Sequence, residues 1–341
     1  MKKILVGMSG GVDSSAAALL LLQQGYDVTG CTLNLFEKEA TDVNDAKEVC
    51  GKLGIEHITV NAPELFREQV VSDFAECYEK GETPNPCIIC NEKIKFGVML
   101  DFALENGFDG IATGHYARIE KEGERSLLKR GDDIKKDQSY FLYRLSQHQL
   151  SHSIFPLFNM EKPQIRQLAE ENGLITARKR DSQDICFINN GDYVSFIKDF
   201  TGRDFPDGNF LDTNGNVIGR HSGIINYTVG QRKGLGVTFG KPVYVCSKDA
   251  VNNTVTLGEL SEIMTDTVTA EDINFIAVPE INGEVRCTAK VRYNMKDMPC
   301  TLTMEGGRIK VKFDEAVKAV TKGQALVCYD GDSVLCGGRI I

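Results

Sequence analysis

The sequence predicts an α/β fold, a doubly wound parallel sheet, followed by an all-β segment that closes as a small barrel. Three observations predict it. Apolar strand-like runs alternate with helical stripes through the first half, a pattern that places helices on both faces of a parallel sheet. Past about residue 200 the turns become Gly-rich (DTNGN, DAVNN, MEGGR, YDGDS) and the runs between them alternate. The 341 residues, 42% hydrophobic, exceed what one core serves, since cores stop growing near ~250 residues.

In order, residues 3–8 (KILVGM) read as a buried strand, residues 14–24 as a helix ended by Gly25, and residues 27–36 as a second strand. Val43, Ala46, Cys50 and Leu53 recur at helical spacing, with Asp42 as N-cap and Gly54 as stop. Residues 57–60 form a third strand. Phe66, Val70, Phe74 and Cys77 stripe a helix ending at Gly81, and residues 108–113 form another strand. A helix opened by Pro163 carries Ile165, Leu168 and Ala169 and ends at Gly173. From about residue 265 the alternating runs 285–293 and 308–313 read as the barrel. There is no internal repeat and no low-complexity linker.

Composition narrows the class. The basic, apolar start MKKILVGMSGGVD has no small-residue cleavage site and no Arg-rich leader, and residues 16–22, the longest later apolar run, are far short of the ~20 a membrane span needs. A cytoplasmic protein is expected, with no membrane association. The 11 cysteines are an odd number, so most should be free in a reducing compartment, and Cys31, Cys50, Cys77, Cys246, Cys287, Cys300, Cys328 and Cys336 read as small buried hydrophobes. The net charge of −9 argues against a nucleic-acid partner only globally. Lys93/Lys95, Lys129/Arg130, Lys135/Lys136, Arg178/Lys179/Arg180 and Arg232/Lys233 are local basic clusters.

Directly after the first strand stands SGGVDS, residues 9–14. Glycines let the backbone approach an anion, and the free N–H groups of the following helix start cradle phosphate. The loop lacks the Lys-Ser/Thr of GxxxxGK[ST] and is no GxGxxG, so it is a different nucleotide loop. Asp13 at the positive helix end is suited to hold Mg²⁺ against pyrophosphate. Two further thiols stand in NPCIICN, residues 85–91, where a metal clamp, a redox pair, and a nucleophile with a bystander are all open.

SGGVDS resembles the pyrophosphate loop of the ATP pyrophosphatase (PP-loop) family, whose members adenylate a carbonyl oxygen. With TPNPCIICNEKIKFG (83–97), ATGHYAR (112–118), KDQSYFL (136–142), DSQDICFI (181–188), YTVGQRKGLG (227–236) and VRY (291–293) in that order, the chain closely resembles the tRNA-specific 2-thiouridylases over nearly its whole length. The resemblance implies a PP-loop domain over 1–200, a small central domain over 201–264 that contacts tRNA, and the barrel over 265–341. It implies that Gly7, Met8, Ser9, Gly10, Gly11, Val12, Asp13 and Ser14 bind ATP phosphates and that Leu33 and Gly114 contact the adenosine. Asn85, Pro86 and Cys87 would border a flipped uridine; His115, Lys136, Asp137, Gln138, Arg292, Tyr293 and Gln324 would meet tRNA. Cys90 matches the catalytic cysteine and Cys186 the persulfide carrier, with Asp13 serving the activation step. ATP and Mg²⁺, a sulfur-donor protein (a cysteine desulfurase or sulfur relay protein) and a monomeric state follow from the same resemblance.

The activity implied is ATP-dependent adenylation of C2 of the wobble uridine and sulfur transfer to give 2-thiouridine. Two features depart from the pattern. Between Phe36 and Asp42 the chain has only EKEAT, where many relatives carry a longer insert, and Cys87 stands where many carry Asp. Cys87, Cys90 and Cys186 together form a candidate ligand set for a [4Fe–4S] cluster with one open iron. The alternatives are a Cys90/Cys186 persulfide and disulfide pair with Cys87 a bystander, and zinc, which lacks a fourth ligand. A PP-loop ligase or amidotransferase acting on a small molecule is the rival enzyme, and a nucleotide-binding RNA adaptor the rival without catalysis.

Overall fold

The computed structural model describes residues 1–36, 41–179, 184–188, 191–236 and 240–341. The EKEA segment after Phe36, Arg180, and the Asp181, Ser182 and Gln183 of the DSQDICFI motif lie outside the described residues.

Five parallel strands form the first sheet: β1 (Lys3–Gly7), β2 (Asp27–Asn34), β3 (His57–Asn61), β4 (Gly110–Ala112) and β7 (Ser153–Ile154), in the order β3-β2-β1-β4-β7. The two faces of β1 show why it must be covered twice. Ile4 and Val6 pack with α1 (Val12–Gln23), α2 (Thr41–Leu53) and α8 (Lys162–Glu171), whereas Leu5 packs on the other side with Phe96, Met99 and Ile111. The strand order reverses between β1 and β4, and in open α/β sheets the crevice at the carboxyl ends of such strands binds ligand.

Several element ends differ from the sequence pattern. Helix α1 starts at Val12 rather than residue 14, because Gly11 already has extended backbone (φ −103°, ψ 164°) and serves as N-cap. Helix α2 starts at Thr41, so Asp42, expected as its cap, lies inside the first turn. Strand β4 is shorter than residues 108–113. Gly107 has φ +76°, the Phe108 N–H closes the preceding helix on Ala103 O, and the Asp109 carboxylate accepts from the Lys3 N–H at 2.7 Å. The helix starting with α3 (Pro63–Phe66) passes through a π-helical stretch, Arg67–Val71, into α4 (Ser72–Glu79).

The remaining chain is mostly β. A central four-stranded sheet runs β10 (Tyr244–Asp249), β11 (Thr254–Gly258), β8 (Gly208–Leu211), β9 (Val217–His221), so β structure begins well before residue 265. The C-terminal barrel is closed in the order β12 (Met264–Phe275), β15 (Arg308–Lys318), β14 (Met298–Glu305), β13 (Val285–Lys290), β16 (Ala325–Asp330), β17 (Ser333–Ile340), with β17 back on β12. Inward Val268, Leu302, Val311 and Leu326 fill it. A hairpin of the first domain, β5 (Ala117–Glu122) and β6 (Arg125–Arg130), pairs with β17 at Ser333 opposite Lys129 and so docks the barrel on the first domain.

Candidate active site

The phosphate loop lies where β1 gives way to α1. Gly10 takes φ +67°, and the hydroxyls of Ser14 and Ser15 donate to Gly11 O at 3.0 and 2.9 Å, bracing the turn. Ser14 Oγ also accepts from the Ser9 N–H at 3.2 Å. No side chain caps α1, so the N–H groups at its start are directed to the crevice. Gly114, just past β4, presses on this loop. A Cβ there would stand 2.7 Å from the Asp13 carbonyl carbon and 2.8 Å from Ser14 N, so only glycine fits. Met8 is buried and Leu33, at the end of β2, is half-buried beside the same strand ends.

Asp13 is already paired with a cation. Lys162 Nζ, from the first residue of α8, lies 2.8 and 2.7 Å from its two oxygens, and the Tyr116 hydroxyl donates to Oδ1 at 2.7 Å. A carboxylate is the kind of oxygen ligand Mg²⁺ takes, and here the cation on Asp13 is the Lys162 ammonium. Lys162 is buried and was not singled out by sequence reasoning, because it is near Asp13 only through the packing of α8 on α1.

The thiol site is built on one helix. Pro86 at the first position and Asn85 as N-cap start α5 (Pro86–Ile89), which continues as a π-helical stretch, Cys90–Val98, into α6 (Met99–Glu105). Cys90 is buried among Phe66, Phe74 and Phe187, while Cys87 and Cys186 are exposed. Burial is the first cause raising all three thiols, that of Cys186 to about 11. For the exposed pair this describes thiols on the wall of an open cleft, with solvent on one side and protein on the other. Cys186 also feels Cys90 and Cys87, so the structure brings the three sequence-predicted thiols into one electrostatic neighbourhood. It does not make them a ligand set. Among the described residues no three His, Cys, Asp or Glu side chains are grouped to hold a metal ion. No grouping among the described residues supports the [4Fe–4S] or the zinc reading.

Lys95 is the charged residue that sequence reasoning left as one member of a basic cluster. It is half-buried and opposes the rise in pKa of Cys87, Cys90 and Cys186. In an α-helix residues five apart are about 140° apart, but i→i+5 bonding in the π stretch brings Lys95 toward the Cys90 face. Glu92, the carboxylate nearest in sequence, is taken by Lys93 at 2.8 Å and Arg144 at 2.5 Å. His115 is buried between Phe96 and Phe155, shares a 2.7 Å hydrogen bond with Thr113 Oγ1, and is kept neutral by burial and then by Lys95.

A second group joins from the barrel. Tyr293 packs on Phe141 with ring centroids 4.3 Å apart, and Arg292 beside it is exposed. Asn91 Nδ2 donates to Phe141 O at 3.1 Å, tying the thiol helix to the KDQSYF segment. Within that segment Lys136 is half-buried, Gln138 exchanges hydrogen bonds with the Tyr116 backbone at 2.8 and 3.0 Å, and Asp137 is buried, accepting from the Ser139 N–H and hydroxyl. Gln324 uses its amide on Thr83 O and Pro84 O at 2.8 and 3.2 Å, holding the strand of chain that leads into Asn85 and Pro86.

Residues 2–190 match the model of the tRNA methyl transferase HUP domain, 194–259 that of the tRNA methyl transferase PRC-barrel domain, and 265–340 that of the aminomethyltransferase beta-barrel domain. The tRNA-specific 2-thiouridylase of Treponema denticola is 48% identical, covering 99% of this chain and 97% of that one. Those of Clostridioides difficile and Acetivibrio thermocellus are 45% and 46% identical, each over 99% of this chain and 98% and 99% of theirs. The chain belongs to the tRNA-specific 2-thiouridylase family. Within that family frame, Lys162, Lys95 and Asn91 are what the structure adds to the residues read from motifs. No helix among the described residues is long and apolar enough to cross a membrane.

Proposed function

We propose that this chain is an ATP-dependent tRNA-uridine 2-sulfurtransferase acting on the wobble uridine of tRNAs of the Lys, Glu and Gln types. What supports the reading is that Cys90 and Cys186, from distant parts of the chain, lie near enough for Cys90 to raise the Cys186 thiol, in a domain whose crevice presents an anion-binding helix start.

Residues 7–14 receive the ATP phosphates and Asp13 holds the Mg²⁺, which supplies charge neutralisation when bound. The uridine is flipped out at a cost of a few kcal/mol and placed beside Asn85, Pro86 and Cys87. Its C2 oxygen attacks the α-phosphorus, pyrophosphate leaves, and C2 carries an adenylate. The terminal sulfur of a Cys186 persulfide attacks C2 and AMP departs with the C–O electron pair. The Cys90 thiolate then attacks Cys186 Sγ, the old S–S bond breaks toward the base, and 2-thiouridine is released with a Cys90–Cys186 disulfide. An external dithiol restores the pair, and a cysteine desulfurase or relay protein reloads Cys186. His115, Lys136, Asp137, Gln138, Arg292, Tyr293 and Gln324 line or support the tRNA side. A monomer working in the cytoplasm suits this chemistry. Methyl transfer, named in the family-model description, would leave the phosphate loop and both thiols unused.

The test is thiolation of unmodified tRNA with MgATP and a desulfurase, read by nucleoside mass spectrometry. Wild type and C87A should form 2-thiouridine, and C90A and C186A should form none. Release of pyrophosphate with a small carboxylate in place of tRNA would instead support the ligase alternative.

A further inference from the structure

The barrel holds four cysteines that thiolation does not use. Cys287 of β13 and Cys300 of β14 face each other across the ladder, with Sγ atoms 3.6 Å apart. Cys328 of β16 and Cys336 of β17 are likewise cross-strand partners, and the Cys328 thiol is hydrogen-bonded to Cys287. The four sulfurs therefore run across four adjacent strands, β14, β13, β16 and β17. Cys300, Cys328 and Cys336 are fully buried and behave as small core residues, but Cys287, between Cys300 and Cys328 in the row, is half-buried.

Packing alone does not account for Cys287. Its sulfur shares a hydrogen bond with that of Cys300, whose thiol also donates to the Cys287 carbonyl oxygen at 3.6 Å, and hydrogen bonding with Cys300 and Cys328 pushes its pKa down. The neighbouring Arg286 is forked on Asp314 at 2.8 and 2.7 Å. A half-buried thiol in contact with a second, buried thiol is the arrangement of a sensor and its resolving partner. The pair also brackets residues 288–299, the hairpin connection that carries Arg292 and Tyr293.

We propose that Cys287 and Cys300 are a second dithiol site, closed to a disulfide by a small hydroperoxide. The Cys287 thiolate attacks the peroxide oxygen, the O–O bond breaks, and hydroxide leaves, so Cys287 becomes a sulfenic acid at the expense of two electrons passed to the peroxide. The Cys300 sulfur then attacks the Cys287 sulfur. The S–S bond forms, the S–O bond breaks, and the Cys300 proton leaves with the hydroxyl as water. With hydrogen peroxide, two thiols and one peroxide give one disulfide and two waters. The sulfurs need only close from contact to about 2.05 Å. This site stands independently of the tRNA reading, since it lies in a different domain and uses none of its residues.

The test treats reduced full-length wild-type protein with a small excess of hydrogen peroxide, blocks free thiols, and maps disulfides by mass spectrometry without reduction. A Cys287–Cys300 peptide, lost on dithiothreitol treatment, is expected without any variant. In C300S, Cys287 should accumulate as a sulfenic acid trapped by dimedone. Recovery of Cys287 and Cys300 as free thiols at a dose that oxidises Cys186, or linkage of Cys287 to Cys328 alone, would overturn the assignment.

Discussion

In the proposed mechanism Cys186 stays unreactive until tRNA arrives and then carries a sulfur anion. With its thiol held up at about 11 against an ordinary value near 9, the tRNA-free protein has on the order of a hundredfold less Cys186 thiolate near neutral pH than an unperturbed cysteine. Because the raised value favours the protonated form, reactivity is low at neutral pH and climbs as pH approaches the shifted pKa. Iodoacetamide labelling of Cys186 should therefore rise about tenfold per pH unit through the alkaline range, without levelling until near pH 11. A plateau near pH 9 would show that burial does not restrain it. A persulfide ionises more readily than a thiol, so loading the sulfur escapes much of this restraint. Lys95 acts on the same balance. Removing its charge in K95M should slow labelling of Cys90 and Cys186 at fixed pH, and K95R should recover most of it.

At the scale of elements, the crevice depends on how closely β4 approaches the phosphate loop. Gly114 has no room for a Cβ against the backbone of Asp13 and Ser14, so G114A must push the loop off β4. We expect ATP affinity in G114A to fall by at least tenfold, about 1.4 kcal/mol, measured by calorimetric titration, with far-UV circular dichroism unchanged. Unchanged affinity would mean the loop moves freely. This contact also marks the limit of what local sequence could convey. The strands, α1 and SGGVDS were legible because apolar period and glycine chemistry are local properties. Lys162 on Asp13, the hairpin β5–β6 docked on β17, and Gln324 clasping Thr83 and Pro84 join positions far apart in the chain, and no periodicity encodes them. The π stretch at Cys90–Val98 was illegible for another reason: its side chains suit an α-helix equally well, and tertiary packing decides the wider turn.

The whole molecule is held together by cores that ignore its division into domains. Ala325, Val327, Tyr329 and Val334 of the barrel pack in one cluster with Leu5, Phe96, Ile111 and Tyr143 of the first domain. Phe210, Tyr227 and Val245 of the central sheet share another with Phe66, Phe74 and Cys90. Units that share a core cannot unfold singly without exposing half of it, so the three parts should melt together. Calorimetry should show one transition, with van't Hoff and calorimetric enthalpies in agreement. Tyr329 supplies the sharpest probe, being fully buried, with Arg130 of the catalytic hairpin 4.0 Å over its ring. Truncation in Y329A leaves a cavity at the junction, at a cost of about 3 kcal/mol, and it should lower the single melting temperature as a whole. If the barrel alone shifted, leaving the ATP domain at its original temperature, the thiol cleft would be assembled from parts that fold independently. Gln324 and Tyr293 would then reach it only when the domains happen to close, and thiolation in Y329A would fall even where ATP binding survived.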